Sequence, residues 1–544
     1  MKNQKLELTW IGKDKKIKVE PRILIEDKEK SYGDENSENM LIHGDNLLAL
    51  KAIEDKYTNK IQCIYIDPPY NTGSAFEHYD DNMEHSIWLN LMKSRLEILK
   101  KLLTKSGSIY IQIDDVEYAY LKIMCDEIFG RENFISTIVV KMSTSSGVKT
   151  AHKEKTILKI KEYILVYAKD KECIEFNPLY VPVQEIDSEF QYFLDKKGDN
   201  IENWSVKRLN DVLIDKGFDI KKDKKEILKF IQENSDKVWR RAFIRNEYKE
   251  LSQKEPNKIF YNKSNGKEHY YYRGREMFFL KDKFHKCLTE AGYIETQSNL
   301  LGDFWEDINT GKLFNEGNVD FRNGKKPEFL IARILELSTN EGDIVLDSFL
   351  GSGTTCAVAH KMNRKWIGIE LGEHCYTHCI PRLSSVINGT DNAGMTKAFN
   401  WTGGGGYKFY ELAPSLLVKD KFDNWVISEN YNGELLTRAI CKQEKFEYSP
   451  EDNYYWKQGK SSENDYIYVT TNYISLEYLQ AIRDEMQDNE SLLICCKSYQ
   501  EECKDKYDNI TIKKIPQSIL NNCEYSRDDY SLNVEEILEV DEDE

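Results

Sequence analysis

A chain of 544 residues is long enough to bury more than one hydrophobic core, which excludes a single small domain. The N-terminus is polar and no apolar run reaches the length of a membrane helix, so neither a signal peptide nor a membrane span is expected; the protein should be soluble, intracellular and cytoplasmic. The net charge of −17 is unevenly spread: Lys and Arg exceed Asp and Glu by about nine between Lys216 and Lys286, whereas Lys419 to Glu544 is about fifteen negative.

After a polar extension, 1–39, the apolar run Met40-Leu41-Ile42 predicts a strand, and Leu47 to Ile53 a helix. The strand Ile61 to Ile66 must stop at Asp67-Pro68-Pro69-Tyr70, because two consecutive prolines cannot donate to a sheet ladder. Helical spacing from Ile87 to Leu103, a strand at Ile109 to Ile113, a helix from about Val116 to Phe129, and strands at Ile135 to Val140 and Tyr163 to Tyr167 follow. The Ser, Thr, Gly and Lys-rich stretch from Ser143 to Lys155 reads as a mobile loop. Such alternation implies a parallel-type α/β sheet, with ligands at the carboxyl ends of its strands.

From 171 to 300 the alternation is lost and the chain becomes basic and aromatic, with Trp239-Arg240-Arg241 and Tyr270-Tyr271-Tyr272-Arg273-Gly274-Arg275 as its clearest features. Alternation resumes after Pro327 with a helix to about Ser338, the strand Ile344 to Leu346, a glycine-rich turn, a helix from Thr354 to Met362 and the strand Trp366 to Ile369. Segments 40–170 and 301–418 thus form two halves of one sheet domain around an insert. A small mixed domain at 419–544, with strands at Tyr466 to Thr470 and Leu492 to Cys496, ends in a frayed acidic tail from Glu535 to Glu544.

Two segments carry chemistry. The Asp67 carboxylate and the Pro68 carbonyl offer two fixed acceptors for the two N–H groups of an amino-substituted base, aligning its nitrogen lone pair toward an incoming methyl group, while Tyr70 can stack on the base. A base inside a duplex is out of reach unless flipped out. Asp347-Ser348-Phe349-Leu350-Gly351-Ser352-Gly353-Thr354-Thr355 follows a strand and opens a helix, where small residues let backbone approach a nucleotide-like ligand. It lacks the lysine of a phosphate-binding loop, which disfavours ATP hydrolysis. About twenty residues on, Glu370 ends a strand where a carboxylate can accept ribose hydroxyls; a surface acid and a turn serving only helix packing are the bland readings of these two features. Asp45 fits equally a helix cap and a contact to a cofactor's adenine. The twelve cysteines form no C-x-x-C pair, and His374-Cys375 with His378-Cys379 reads as helix packing rather than a metal site; no metal is expected.

With the Asp67 segment preceding the Asp347 segment, the order resembles the beta class of amino-methyltransferases. Ile64 to Gly73, Lys326-Pro327-Glu328, Leu346 to Thr355, Trp366 to Glu373 and Trp401 to Leu412 resemble the modification subunit of type III restriction-modification systems, over about residues 40–170 and 300–415. The resemblance implies a Rossmann-like sheet, S-adenosyl-L-methionine as methyl donor, and conversion of adenine to N6-methyladenine in an asymmetric site of double-stranded DNA. By match, Asp67, Pro68, Pro69 and Tyr70 would hold the adenine. Asp347, Phe349, Gly351, Gly353 and Thr354 would line the cofactor, Glu370 would bind its ribose, and Lys326, Pro327 and Glu328 would sit near its methionine end. It also implies a homodimer able to recruit a separate helicase-nuclease restriction subunit, which this chain does not itself contain.

Target recognition is expected in the basic insert, with Arg240, Arg241, Arg245, Arg273 and Arg275 as DNA-contacting candidates, while the lysines from Lys221 to Lys229 fit a solvated helix face equally well. The acidic C-terminal domain suits dimerisation or partner docking. A cytosine-N4 methyltransferase, which more often carries Ser in place of Asp67, a catalytically silent DNA-binding specificity subunit, and an RNA or protein amino-methyltransferase stay open. A cytosine-C5 enzyme is disfavoured, since no Pro-Cys pair supplies its nucleophile.

Overall fold

Ten strands make the main sheet of the computed structural model, which describes residues 7–71, 85–143, 157–183, 185, 187–244, 247–264, 266–311, 313–321 and 324–530. They are β1 (Leu24–Gly33), β2 (Met40–His43), β3 (Ile61–Ile66), β4 (Leu103–Ile113), β5 (Phe134–Lys141), β6 (Lys161–Ala168), β7 (Phe304–Trp305), β8 (Ile344–Asp347), β9 (Lys365–Glu370) and β10 (Gly406–Leu412). Their order is β1-β10-β2-β9-β8-β3-β4-β6-β5-β7. From β10 to β4 the neighbours run parallel, and these strands read as continuous apolar runs because helices cover both faces. Leu346 of β8 faces Ile64 of β3, so the segments after the two strands emerge side by side at the carboxyl edge.

The helices are α1 (Asn46–Tyr57), α2 (His85–Leu102), α3 (Tyr118–Phe129), α4 (Glu328–Ser338), α5 (Thr354–Lys361) and α6 (Ile380–Ile387). Helix α5 starts from Gly353 at φ +81°, and Gly351 stands at φ +57°, both left-handed conformations that glycine adopts without strain. The His374–Cys379 stretch is one wide turn leading into α6, with Cys375 and Cys379 buried; among the described residues no group of His, Cys, Asp and Glu could hold a metal ion.

Several expectations need correction. The sheet is not purely parallel: β6 runs against both β4 and β5, and β1 runs against β10. The 1–39 segment is no mere extension, since β1 forms an edge strand; its charged sequence conceals it because an edge facing water needs no apolar run. The mobile-loop expectation falls almost wholly, and the tail expectation wholly, outside the described residues.

The C-terminal region has its own five-stranded sheet, Glu447–Tyr448, Gly459–Ser462, Asp465–Ile474, Ser491–Tyr499 and Ile510–Lys514, yet it belongs to one compact unit with 1–177. Glu20 accepts from Ser415 Oγ and the Leu416 N–H, both at 2.8 Å, and Arg22 pairs with Asp528 at 2.6 Å. No described helix is long and apolar enough to cross a membrane.

The second unit spans Pro178–Gly302, where the insert was expected at 171–300. Its six-stranded antiparallel sheet runs Phe260–Ser264, Lys267–Tyr272, Arg275–Phe279, Val238–Ala242, Tyr192–Asp195, Ser205–Arg208. The unit closes on itself: Tyr180–Pro182 pairs with Gly292–Leu300, and the Leu301 N–H donates to the Leu179 carbonyl at 2.8 Å. The helix Lys224–Glu233 turns Ile227, Phe230 and Ile231 to the core and leaves its lysines exposed, as a solvated face does.

Candidate active site

Strand β3 delivers Asp67 to the carboxyl edge, and the turn that follows is tied down from behind: Trp88 Nε1 of α2 donates to the Pro69 carbonyl at 2.8 Å. Asp67, Pro68, Pro69 and Tyr70 line one cavity with Lys326, Asp347, Phe349, Gly351 and Thr354, so two segments about 280 residues apart in sequence share a wall because β3 and β8 are neighbours.

Lys326 Nζ stands 2.6 Å from Asp67 Oδ2 and 5.0 Å from the centre of the Tyr70 ring. The other oxygen, Asp67 Oδ1, is buried and has no hydrogen-bond partner among the described residues. Burial pushes the Asp67 carboxyl above the ordinary range, against the pull of Lys326; burial opposes the Lys326 charge, but Asp67 and Glu162 hold its ammonium above the usual lysine value. One carboxylate oxygen is therefore held by Lys326 and the other keeps an unmet acceptor. Lys326 reaches the catalytic loop, which the resemblance to known enzymes had not indicated.

Across the cavity, Asp347 accepts from the Phe349 N–H at 3.0 Å and from Thr355 Oγ1 at 2.6 Å, and burial raises its carboxyl to about 7. Glu370 takes the Gly351 N–H at 2.6 Å and the Gly372 N–H at 3.0 Å, with His374 Nε2 at 2.9 Å. Despite burial, His374 and those N–H groups keep it below the ordinary carboxylate range. His374 thus orients Glu370; its position four residues on from Glu370 was a usable sequence signal.

Pro327, Gly353, Glu370 and Asp45 stand outside the cavity wall. Pro327 leads into α4. Asp45 caps α1 by accepting from the Leu47 and Leu48 N–H groups, and its second oxygen is taken by Arg95 and the Tyr530 N–H, both at 3.2 Å; of its two readings the structure shows the cap.

Glu328, which ends the Lys-Pro-Glu segment, points the other way. It meets Lys361 at 2.7 Å and Arg382 at 2.8 Å, all three buried, while Arg382 Nη1 donates to Thr354 Oγ1 at 2.7 Å beneath the glycine turn. Burial works against the charge, yet Lys361 and Arg382 hold the Glu328 carboxyl at about 2. Lys326 and Glu328 thus serve the two walls of the site from one turn.

In the insert, Arg240 pairs with Glu189 and packs over Phe278, and Arg273 donates to the Pro256 carbonyl at 3.0 Å. Arg241 and Arg275 are exposed; Arg245 lies outside the described residues. Arg208, which sequence reasoning missed, lies 4.8 Å from the Tyr192 ring, with Arg241 4.9 Å from the same ring.

A carboxylate-diproline-tyrosine turn and a glycine turn on adjacent parallel strands share one cavity at the carboxyl edge of the sheet, the place where α/β enzymes hold their ligands. Residues 61–380 match the family model described as DNA methylase, and the chain belongs to that family. It is 38% identical over 428 residues to the probable type III restriction-modification enzyme HindVI Mod subunit of Haemophilus influenzae, covering 70% of this chain and 54% of that one. The EcoPI Mod subunit of Escherichia phage P1 is 28% identical, covering 72% of this chain and 66% of that one. The EcoP15I Mod subunit of Escherichia coli is 26% identical, over 81% and 79%. The chain spans about half the length of the HindVI subunit.

Proposed function

We propose that this chain transfers a methyl group from S-adenosyl-L-methionine to the N6 of an adenine flipped out of double-stranded DNA, as the modification subunit of a type III restriction-modification system. The observation that carries the chemistry is Asp67 Oδ1, a buried acceptor without a partner among the described residues, on a side chain that lines a cavity shared with the glycine turn. A sulfonium cofactor supplies an electrophilic methyl group, so the protein's task is orientation more than proton transfer. Asp67 Oδ1 and the Pro68 carbonyl accept the two amine N–H groups, and Tyr70 holds the base by stacking. Lys326 fixes the other Asp67 oxygen and balances its charge.

The residues across the cavity fit the cofactor. Gly351 and Gly353 let backbone come close, Asp347 is an anion for its ammonium, and Glu370 stands at the strand end where ribose hydroxyls are bound. The relatives named as Mod subunits of type III restriction-modification enzymes support the type III assignment and, as subunits, a separate partner. The exposed arginines of the insert support target recognition there.

Transfer of labelled methyl to DNA by the wild type and by Asp67→Ala, followed by nucleoside analysis, tests this reading. N6-methyladenine made by the wild type alone is the expected result. N4-methylcytosine would replace the base assignment, and no transfer to any DNA would overturn the function.

A further inference from the structure

Glu162 lies in none of the short motifs singled out in the sequence, yet its carboxylate meets two residues of the cavity wall, Tyr70 and Lys326. Its Oε2 accepts from Tyr70 Oη at 2.7 Å and from Gln112 Nε2 at 2.5 Å, with Lys326 Nζ 3.9 Å away. Gln112 is itself fixed, because Tyr65 Oη donates to its Oε1 at 2.6 Å. A continuous chain of hydrogen bonds thus runs from Tyr65 on β3 to Gln112 on β4, to Glu162 on β6, and back to Tyr70 just beyond β3.

Topology explains the position. β6 is antiparallel to β4, with Gln112 opposite Ile164, so its first residues, not its last, reach the carboxyl edge where the site lies. Glu162 is two residues from Ile164 and shares its face with Gln112.

We propose that Glu162 is a positioning residue for the methyl transfer, holding the Tyr70 ring and the Lys326 ammonium so that Asp67 keeps one oxygen pinned and the other open to the substrate amine. The proposal rests on the methyltransferase reading above. An aromatic ring anchored at its hydroxyl keeps its stacking plane before the base arrives, and an ammonium shared between two carboxylates, 2.6 Å from Asp67 and 3.9 Å from Glu162, cannot swing into the space the amine must fill. Glu162 touches neither substrate nor cofactor; it acts through Tyr70 and Lys326.

Glu162→Gln preserves volume and an acceptor oxygen but removes the charge beside Lys326, and Tyr70→Phe removes the Tyr70–Glu162 hydrogen bond while keeping the ring. In single-turnover assays with DNA and S-adenosyl-L-methionine, each substitution is expected to slow transfer by about tenfold or more, with both dissociation constants within about twofold of wild type. The double variant should slow transfer by less than the product of the two single effects, because Glu162 acts in part through Tyr70. A transfer rate within twofold of wild type in Glu162→Gln, or full additivity in the double variant, overturns the proposal. If Glu162→Gln does not fold, Tyr70→Phe decides by the same rate criterion. A wild type that methylates no DNA fails the functional reading and the proposal with it, whereas a wild type that methylates beside an equally fast Glu162→Gln fails the proposal alone.

Discussion

Asp67 carries a division of labour between its two oxygens that a neutral amide cannot reproduce. In Asp67→Asn the shape survives, but Lys326 loses its 2.6 Å anion and an NH2 group can replace one acceptor. Single-turnover transfer should fall at least about 10²-fold while cofactor affinity, measured by calorimetry, changes little. Asp347 makes a separate, pH-dependent prediction. Its carboxyl is raised by burial to about 7, and a cationic ligand binds its ionised form. Affinity for S-adenosyl-L-methionine should therefore weaken as pH falls below about 7, and Asp347→Asn should bind more weakly with that dependence flattened; equal titrations at pH 6 and 8 would refute it. Asp67 and Asp347 were legible in the sequence because each opens a short contiguous segment after a buried strand. Glu162 was not, since it meets Tyr70 across 92 positions of chain and sits at the start of a strand that a parallel reading places at the wrong end.

Helices α4, α5 and α6 are locked together by Glu328, Lys361 and Arg382, and Arg382 carries that lock to Thr354 in the cofactor turn. Removing the anion leaves the buried Arg382 without its carboxylate and Lys361 with Asp391 alone at 2.6 Å, so Glu328→Gln should lower stability by about 3–5 kcal/mol in urea titrations. The sign of its pH dependence follows from a carboxyl depressed from 4.5 to about 2 on folding. Its contribution is complete above the unfolded value and is lost as pH falls from there toward about 2. The wild type should lose melting temperature over that window, and the variant should lose less of it. Helix positions could be read from apolar spacing, but this lock could not: Glu328 and Lys361 are polar letters on otherwise apolar faces, and only packing shows that they meet.

At the scale of the molecule, the proposed function assigns chemistry to one compact unit and target choice to the other. Arg208 and Arg241 flank Tyr192 on exposed positions of the insert's sheet, an arrangement suited to phosphate contact. Substituting either by Ala should weaken DNA binding for all sequences alike and reduce the salt dependence of log K by about 1, leaving cofactor affinity intact; binding that loses affinity for one sequence only would mark a base contact instead. The insert announced itself by the loss of strand-helix alternation, and its arginines by composition. Which of them are spoken for, as Arg240 is by Glu189, depends on strand register that no local pattern encodes.

The insert begins and ends on paired strands, Tyr180 with Leu300 and Pro182 with Ser298, so its two ends lie side by side. Two crossovers in the gene, one at each of those ends, would exchange the whole unit and leave Asp67, Lys326, Glu162 and Asp347 undisturbed. Under the proposed function, a lineage with such closed ends could acquire a new address on DNA by recombination in a single generation, without rebuilding its catalyst.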